Sequence, residues 1–347
     1  MAKSSKTIVG LDIDPSGVTA AQVAVNGHVL IEAAATAPLE AGVVRDGEVE
    51  DVEALAEVLR GLFREHRDLD KRVRVGIANS KIVVRVIDLP PIADPKELEA
   101  AVRFQAQEHI PMPLDSAVLD FQPLELVETE GGPRQRVLLV AARRDMIDRV
   151  LAAVRGAGLR VEGVDLAAFA MVRALYRKGD AEERVLYLSV AGMTNLAMAQ
   201  GSTCLFTRSS GGGLESLAVE LAERRALTLE HARAWLVHVG LDRPVELIDG
   251  EEDIVTEARE VLVEGVRRIA SEVRASLDFH HAQGGGGVMS RVVLTGPAIA
   301  VPGFAEALGI ELGLPVEAGH LAGGPDDLEP GRLTVAAGLA IEEAPHS

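Results

Sequence analysis

Residues 8–19 (Ile-Val-Gly-Leu-Asp-Ile-Asp-Pro-Ser-Gly-Val-Thr) and 185–196 (Val-Leu-Tyr-Leu-Ser-Val-Ala-Gly-Met-Thr-Asn-Leu) carry one pattern about half a chain apart. In each copy an apolar strand runs into a turn of small residues. An alternating strand follows, over Thr19–Val25 in the first copy and Leu196–Gln200 in the second. A chain that repeats this unit, and then alternates helix with strand in both halves, is constrained to a duplicated α/β fold with a cleft between lobes. Turns facing each other across such a cleft aim backbone N–H groups and hydroxyls at a shared anion, as in a phosphate clamp.

The pattern between the two copies divides the chain. Strands are expected over Thr7–Asp12, Thr19–Val25 and Val29–Thr36, a helix over Val52–His66, and strands over Val73–Ala78 and Ile82–Leu89. Pro90-Pro91 breaks this run. A strong helix start follows, with Asp94 as N-cap, Pro95 at the first position and Glu97 three residues after the cap. Leu98, Val102, Ala106 and Ile110 fall on one face before Pro111 and Pro113 end the helix. Strands at Ala117–Leu126 and Arg136–Ala142 are joined by Gly131-Gly132-Pro133, and a helix (Asp145–Gly156) and a strand (Leu159–Val164) complete a small α/β unit. Asp165 is then expected to cap a helix over Leu166–Arg177. The second half adds helices at Leu214–Arg225, Ile254–His281, Pro302–Gly313 and Thr334–Ile341 and a buried strand at Arg291–Gly296, with Gly284–Gly287 stopping the long helix. The division is therefore 1–89 with 165–181 as a first lobe, 90–164 as an insert, and 182–347 as a second lobe.

Charge and cysteine content narrow the function. The chain has 35 Lys and Arg against 53 Asp and Glu, a formal net charge of -18, so it repels phosphate backbones and nucleic acid is not an expected partner. Cys204 is the single cysteine, which rules out an internal disulfide and makes reducing cytoplasm the expected compartment. Met1–Lys6 lacks the apolar run of a signal peptide, no stretch approaches a membrane span, and the acidic tail from Ala340 to Ser347 offers no basic amphipathic helix. Any membrane link is expected to run through a partner.

Several segments resemble the PilM family of type IV pilus assembly, actin-like proteins themselves similar to the cell-division protein FtsA. The segments are Leu89-Pro90-Pro91, Glu97-Leu98-Glu99-Ala100-Ala101-Val102-Arg103, Gln107-Glu108-His109-Ile110-Pro111-Met112-Pro113-Leu114 and Asp120. Glu272-Val273-Arg274-Ala275-Ser276-Leu277-Asp278-Phe279, Val292-Val293-Leu294-Thr295-Gly296 and Val301-Pro302-Gly303-Phe304 extend the match in order along nearly the whole chain. The resemblance implies an actin/Hsp70-like fold of duplicated ribonuclease-H-like lobes with a small α/β insert of PilM/FtsA type. It implies a cytoplasmic scaffold, peripheral to the inner membrane, that grips the cytoplasmic N-terminal peptide of a PilN-like inner-membrane protein and meets other pilus assembly proteins. It also implies ATP with Mg2+ between the lobes. An active ATPase driving assembly and an FtsA-type division or secretion adaptor are the alternatives, and no catalytic residue is assigned. A sugar kinase of the same superfold lacks a placeable catalytic base.

Set against that family, the cleft motifs are degenerate. The first turn keeps Asp12 and Ser16, with Gly17 and Asp14 as further candidates beside them, but Asp14 stands where the family has glycine, Thr19 replaces a lysine, and Pro15 withdraws an N–H. In the second turn Thr194 and Asn195 remain, with Gly192 as a further candidate beside them, while the family's aspartate and the glycine after it are missing. Gly211, Gly212 and Gly213 precede a helix and suit an anion, Gly296 with Pro297 replaces a Gly-Gly near the adenosine, and Arg274 is the candidate to stack on adenine. Asp12 is the candidate for a magnesium-bound water. Each has a plain counterpart: ordinary hairpin turns, a strand-end aspartate acting as a cap, and a surface ion pair for Arg274. Phe104, Ile110, Met112 and Leu114 are candidates to line the partner groove, against the alternative that they form the insert's own core. His280-His281 reads as structural, since adjacent helical residues point about 100° apart, and Cys204 as core.

Overall fold

The structure, a computed structural model, describes residues 8–25, 29–282, 286–326 and 328–342. Thr7, Met1–Lys6, part of the Gly284–Gly287 loop and most of the acidic tail lie outside these residues. The first half contains β1 (Val9–Asp14), β2 (Gly17–Val25), β3 (Val29–Pro38), a ribbon of β4 (Val44–Arg45) and β5 (Glu48–Val49), α1 (Val52–Glu65) and β6 (Arg72–Ile77). It continues with β7 (Val83–Leu89), α2 (Pro95–His109), β8 (Ala117–Thr129), β9 (Gly132–Arg143), α3 (Arg144–Gly156), β10 (Arg160–Leu166) and α4 (Ala167–Leu175). The second half runs β11 (Arg184–Val190), β12 (Thr194–Gln200), β13 (Thr203–Ser210), α5 (Leu214–Arg225), α6 (Leu229–Val239) and α7 (Glu252–Ala282). It ends with β14 (Arg291–Thr295), α8 (Phe304–Leu312), β15 (Val316–Ala318), β16 (Ala322–Gly323) and α9 (Thr334–Leu339).

Among the described residues two principal sheets form, in the orders β10-β6-β1-β2-β3-β16 and β13-β12-β11-β14-β15. Strand alternation sets the layers. Along β11, Leu186, Leu188 and Val190 face the helices α5–α8, while Val185 and Tyr187 face α4 and α9. Helices α4 and α9 thus lie between the sheets, with α1 and α3 covering the far face of the first sheet. The duplicated core expected from the repeat is present, and α9, last in sequence, packs on β1 of the first lobe.

A third sheet, β7-β9-β8, has two working faces. Val137, Leu139 and Ala141 pack under α2, while Leu138 and Ala142 pack toward the first lobe. Because β7 hydrogen-bonds along β9 from Val83 to Leu89, the small sheet begins before Pro90. At its other end, α3 packs with α1 and β10 pairs with β6 of the large sheet.

Asp94 caps α2 as the sequence indicates, its Oδ1 accepting from the N–H groups of Lys96 (2.8 Å) and Glu97 (3.1 Å). Two readings are corrected. Asp165 is not the cap of α4. It lies inside β10, and its Oδ2 pairs with Arg173 at 2.5 Å, while Leu166, the last residue of β10, occupies the cap position. Helix α6, absent from the sequence pattern, starts at Thr228, whose hydroxyl accepts from the His231 N–H at 3.2 Å. Cys204 is buried in the interlobe core, where desolvation pushes its thiol up to about 12.

Candidate functional site

The β1–β2 hairpin, the β11–β12 hairpin and the β13–α5 turn meet at the cleft floor. Each is short because antiparallel pairing closes down to the turn: Asp14 pairs with Gly17, and Val190 with Thr194. The turns are knit to each other. The Thr194 hydroxyl donates to the Gly212 carbonyl at 2.8 Å, and the Glu215 N–H donates to the Ala191 carbonyl at 3.2 Å. A Cβ on Gly213 would lie 2.3 Å from the Ala191 carbonyl oxygen, so glycine is what lets the third turn close on the second.

Across this junction lies one carboxylate. Asp14 Oδ1 accepts from the Ser16 N–H (2.9 Å), the Ser16 hydroxyl (2.6 Å) and the Gly192 N–H (2.9 Å), and Oδ2 accepts from the Met193 N–H (3.1 Å). Gly192 has no room for a side chain there, since a Cβ would stand 2.0 Å from Asp14 Oδ1. Burial raises the pKa of Asp14, against the hydrogen bonds from Ser16, Met193 and Gly192 that pull it down. Asp12 is pushed up to about 7, by burial first and then by the charge of Asp14, with Arg332 acting in the opposite direction. Asp12 accepts no hydrogen bond from any described residue.

The glycine turn is lined by further acids. A Cβ on Gly211 would stand 2.5 Å from an Asp46 carboxylate oxygen, and one on Gly212 would stand 3.4 Å from a Glu272 oxygen. Glu272 accepts from the Ser210 hydroxyl at 2.6 Å, and Glu215 at the start of α5 pairs with Arg233. The helix N-terminus that suits an anion is thus surrounded by the chain's own carboxylates.

The remaining candidates scatter. Gly17 starts β2, and a Cβ there would lie 2.7 Å from the Ala37 carbonyl oxygen, a packing role. Asn195 is buried in β12, where its Oδ1 meets no donor. Gly296 takes φ 84° beside Val190, with buried Pro297 following it near the second turn. Arg274 points away from the cleft, because its Nη1 donates to the Glu311 carbonyl at the end of α8, 2.5 Å away. On α7 the residue two positions earlier, Glu272, is the one that faces the cleft.

Tested against ATP with Mg2+, this arrangement does not fit. The N–H groups that a phosphate needs from both turns are held by Asp14. Among the described residues no group of three His, Cys, Asp or Glu is placed to hold a metal. The His280 and His281 rings lie 6.4 Å apart, with His281 Nε2 3.3 Å from the Gly287 carbonyl.

A second concavity, about 330 Å3, separates the small sheet from the first lobe. Ile77, Val118, Val140, Val164 and Phe169 give it an apolar lining, with Asp120, Asp165 and Arg173 among its polar groups. Its walls include β8 and β10, which are both edge strands of their sheets. Ile110, Met112 and Leu114 lie elsewhere, in the core between α2 and the other face of the small sheet, and Phe104 projects from α2 with 64% of its surface exposed.

Residues 10–321 match the family model of the type IV pilus assembly protein PilM. The chain belongs to the PilM family. A solved PilM–PilN type IV pilus biogenesis complex contains a chain of 28% identity and TM-score 0.78, with 96% of this chain and 97% of that one covered. The ethanolamine utilization protein EutJ from Carboxydothermus hydrogenoformans (16% identity, TM-score 0.56, 98% and 91% covered) shares the fold. So does MreB5 of Spiroplasma citri, solved with ADP bound (11% identity, TM-score 0.53, 97% and 95% covered). The fold is actin-like, as the duplicated turns and the insert lead one to expect, and this PilM-family chain is an actin-like pilus assembly protein. No helix among the described residues is long and apolar enough to cross a membrane.

Proposed function

We propose that the chain is a cytoplasmic adaptor of type IV pilus assembly. It binds the cytoplasmic N-terminal peptide of a PilN-like inner-membrane protein in the groove between the small sheet and the first lobe. The observation that carries this reading is the pair of sheet edges, β8 and β10, flanking an apolar floor. Edge strands present unpaired N–H and C=O groups, so an extended peptide gains main-chain hydrogen bonds while alternate side chains enter the apolar pocket. The PilM–PilN complex supports the partner's identity. Contact with the membrane and with other pilus proteins runs through that peptide, and the groove side of the small sheet, with β10, serves as the partner-facing surface, in place of the α2 face bearing Phe104. ATP with Mg2+ enters this reading only as a ligand that displaces Asp14, and the alternative of an active ATPase has no placed catalytic group in its support.

The test is titration of the full chain with the synthetic N-terminal peptide of its PilN-like partner. Val140→Glu, which sets a charge on the groove floor, should weaken binding by at least about tenfold, while Phe104→Ala on α2 should leave it unchanged. The opposite pattern would move the partner site to α2 and overturn the groove.

A further inference from the structure

The cleft of this fold is built to hold an anion, and in this chain an anion is already there. We infer that Asp14 is an intramolecular ligand of the interlobe clamp: its carboxylate takes the backbone donors of both turns and holds the lobes together where a nucleotide phosphate otherwise does so. This deepens the adaptor reading, since it makes a scaffold whose closed form needs no nucleotide.

Four donors converge on two oxygens, and they come from both lobes. Ser16 N–H and Oγ belong to the hairpin of the first lobe, and Gly192 and Met193 N–H to that of the second. The contacts to Ser16 alone would be a local turn. Those at 2.9 and 3.1 Å to residues 178 and 179 positions away are not local, and they join two sheets. The cradle is cut to this side chain, since the Cβ-free Gly192 is what leaves room for Oδ1. A phosphate oxygen in the same place would need the same N–H groups and would meet the carboxylate's charge at contact distance. The acids around the glycine turn, Asp46 and Glu272, deepen the same negative field, so the site is selected against a polyanion at more than one point.

Loss of the carboxylate therefore has two linked effects: the clamp's donors become free, and the hold between the lobes weakens. Full-length wild type, Asp14→Gly and Asp14→Asn are titrated calorimetrically with Mg·ATP. In parallel, amide exchange is followed in peptides spanning residues 14–18 and 190–194. Wild type should give no binding heat at millimolar Mg·ATP. Asp14→Gly should bind at least about tenfold more tightly than wild type, and its amides in both peptides should exchange at least about tenfold faster without ligand and slow again with it. Asp14→Asn keeps the shape but lacks the second acceptor oxygen, so the Met193 amide should lose protection even where the glycine variant folds poorly. Wild-type binding of Mg·ATP as tight as that of Asp14→Gly would overturn the inference, as would unchanged exchange in both variants. The PilN-like peptide is titrated into the same proteins. Retained binding shows a folded groove, and failure of wild type to bind it counts against the adaptor reading and leaves the clamp standing.

Discussion

At the residue scale the cleft turns on two aspartates spaced two apart on one strand. Both lie on the same side of β1, which is what brings their charges together. Asp14 has donors and Asp12 has none, so Asp12 is the one that burial and its neighbour push up to about 7. The sign follows. The folded protein binds this proton more tightly than the unfolded chain, whose value is 3.8, so between those limits the native state holds more protons and stability falls as pH rises. Each pH unit between the two values is worth about 1.4 kcal/mol, trimmed by the side chain's partial contact with solvent. Asp12→Asn should therefore flatten the decline in stability between pH about 4 and 7 and raise the melting temperature at pH 8. Thermal unfolding of both proteins across that range checks it, and an unchanged slope would show that Asp12 stays ionised beside Arg332. At this same scale the sequence was legible only in part. That Asp14 displaces a glycine can be read from the turn, but that its carboxylate would be gripped by Gly192 and Met193 cannot. Those donors are backbone groups, and backbone donors carry no residue code.

At the element scale, local signals outperformed long-range ones. Asp94, Pro95 and Glu97 fix the start of α2 because a cap acts within one turn. Asp165 misled because a capping residue type at the right spacing was drawn instead into an ion pair with Arg173, eight residues on. Ile110, Met112 and Leu114 are apolar for the insert's own core, a choice that periodicity leaves open because groove and core demand the same residues. The side of α7 that Arg274 occupies is decided by the packing of α7 against α8, which its motif does not carry. Helix packing also explains a glycine that propensity would remove. Gly265 lies inside α7, where a Cβ would stand 2.4 Å from Leu217 Cδ1 of α5, and Leu217 is fully buried. Filling that contact overpacks the crossing of two helices, which costs about 1–3 kcal/mol and outweighs the helix-propensity gain. Gly265→Val should lower the urea midpoint with an unchanged m-value. A rise in the midpoint would mean that Leu217 swings aside at no cost.

At the scale of the whole molecule, the lobes are not beads on a string, because the chain returns to where it began. Helix α9 closes the second half in sequence yet packs on β1 and α4 of the first. Gly10 makes the approach possible, since a Cβ there would lie 1.8 Å from the Ala336 carbonyl oxygen. First-lobe arginines then take the last carbonyls of this segment. Arg74 Nη1 donates to Leu339 (3.2 Å) and Ile341 (2.8 Å), and Arg173 Nη2 donates to Gly338 (3.0 Å). Cations at a helix C-terminus satisfy carbonyls that have no partner within the helix and oppose the negative end of its dipole. The short α9 could not persist on its own, so tertiary contacts decide whether it forms. Arg74→Met keeps much of the side-chain stem while leaving those carbonyls unpaired, at a cost of about 1–3 kcal/mol. Because α9 lies in the core shared by both sheets, that cost should lower a single melting transition of the whole chain. If two transitions separate instead, with only the first lobe's shifted, the lobes fold independently and the shared core does not couple them. A coupled core also suits the proposed adaptor role: a peptide seated between β8 and β10 would pull on the first lobe, and α9, packed on β1 and α4, would pass the load to the second.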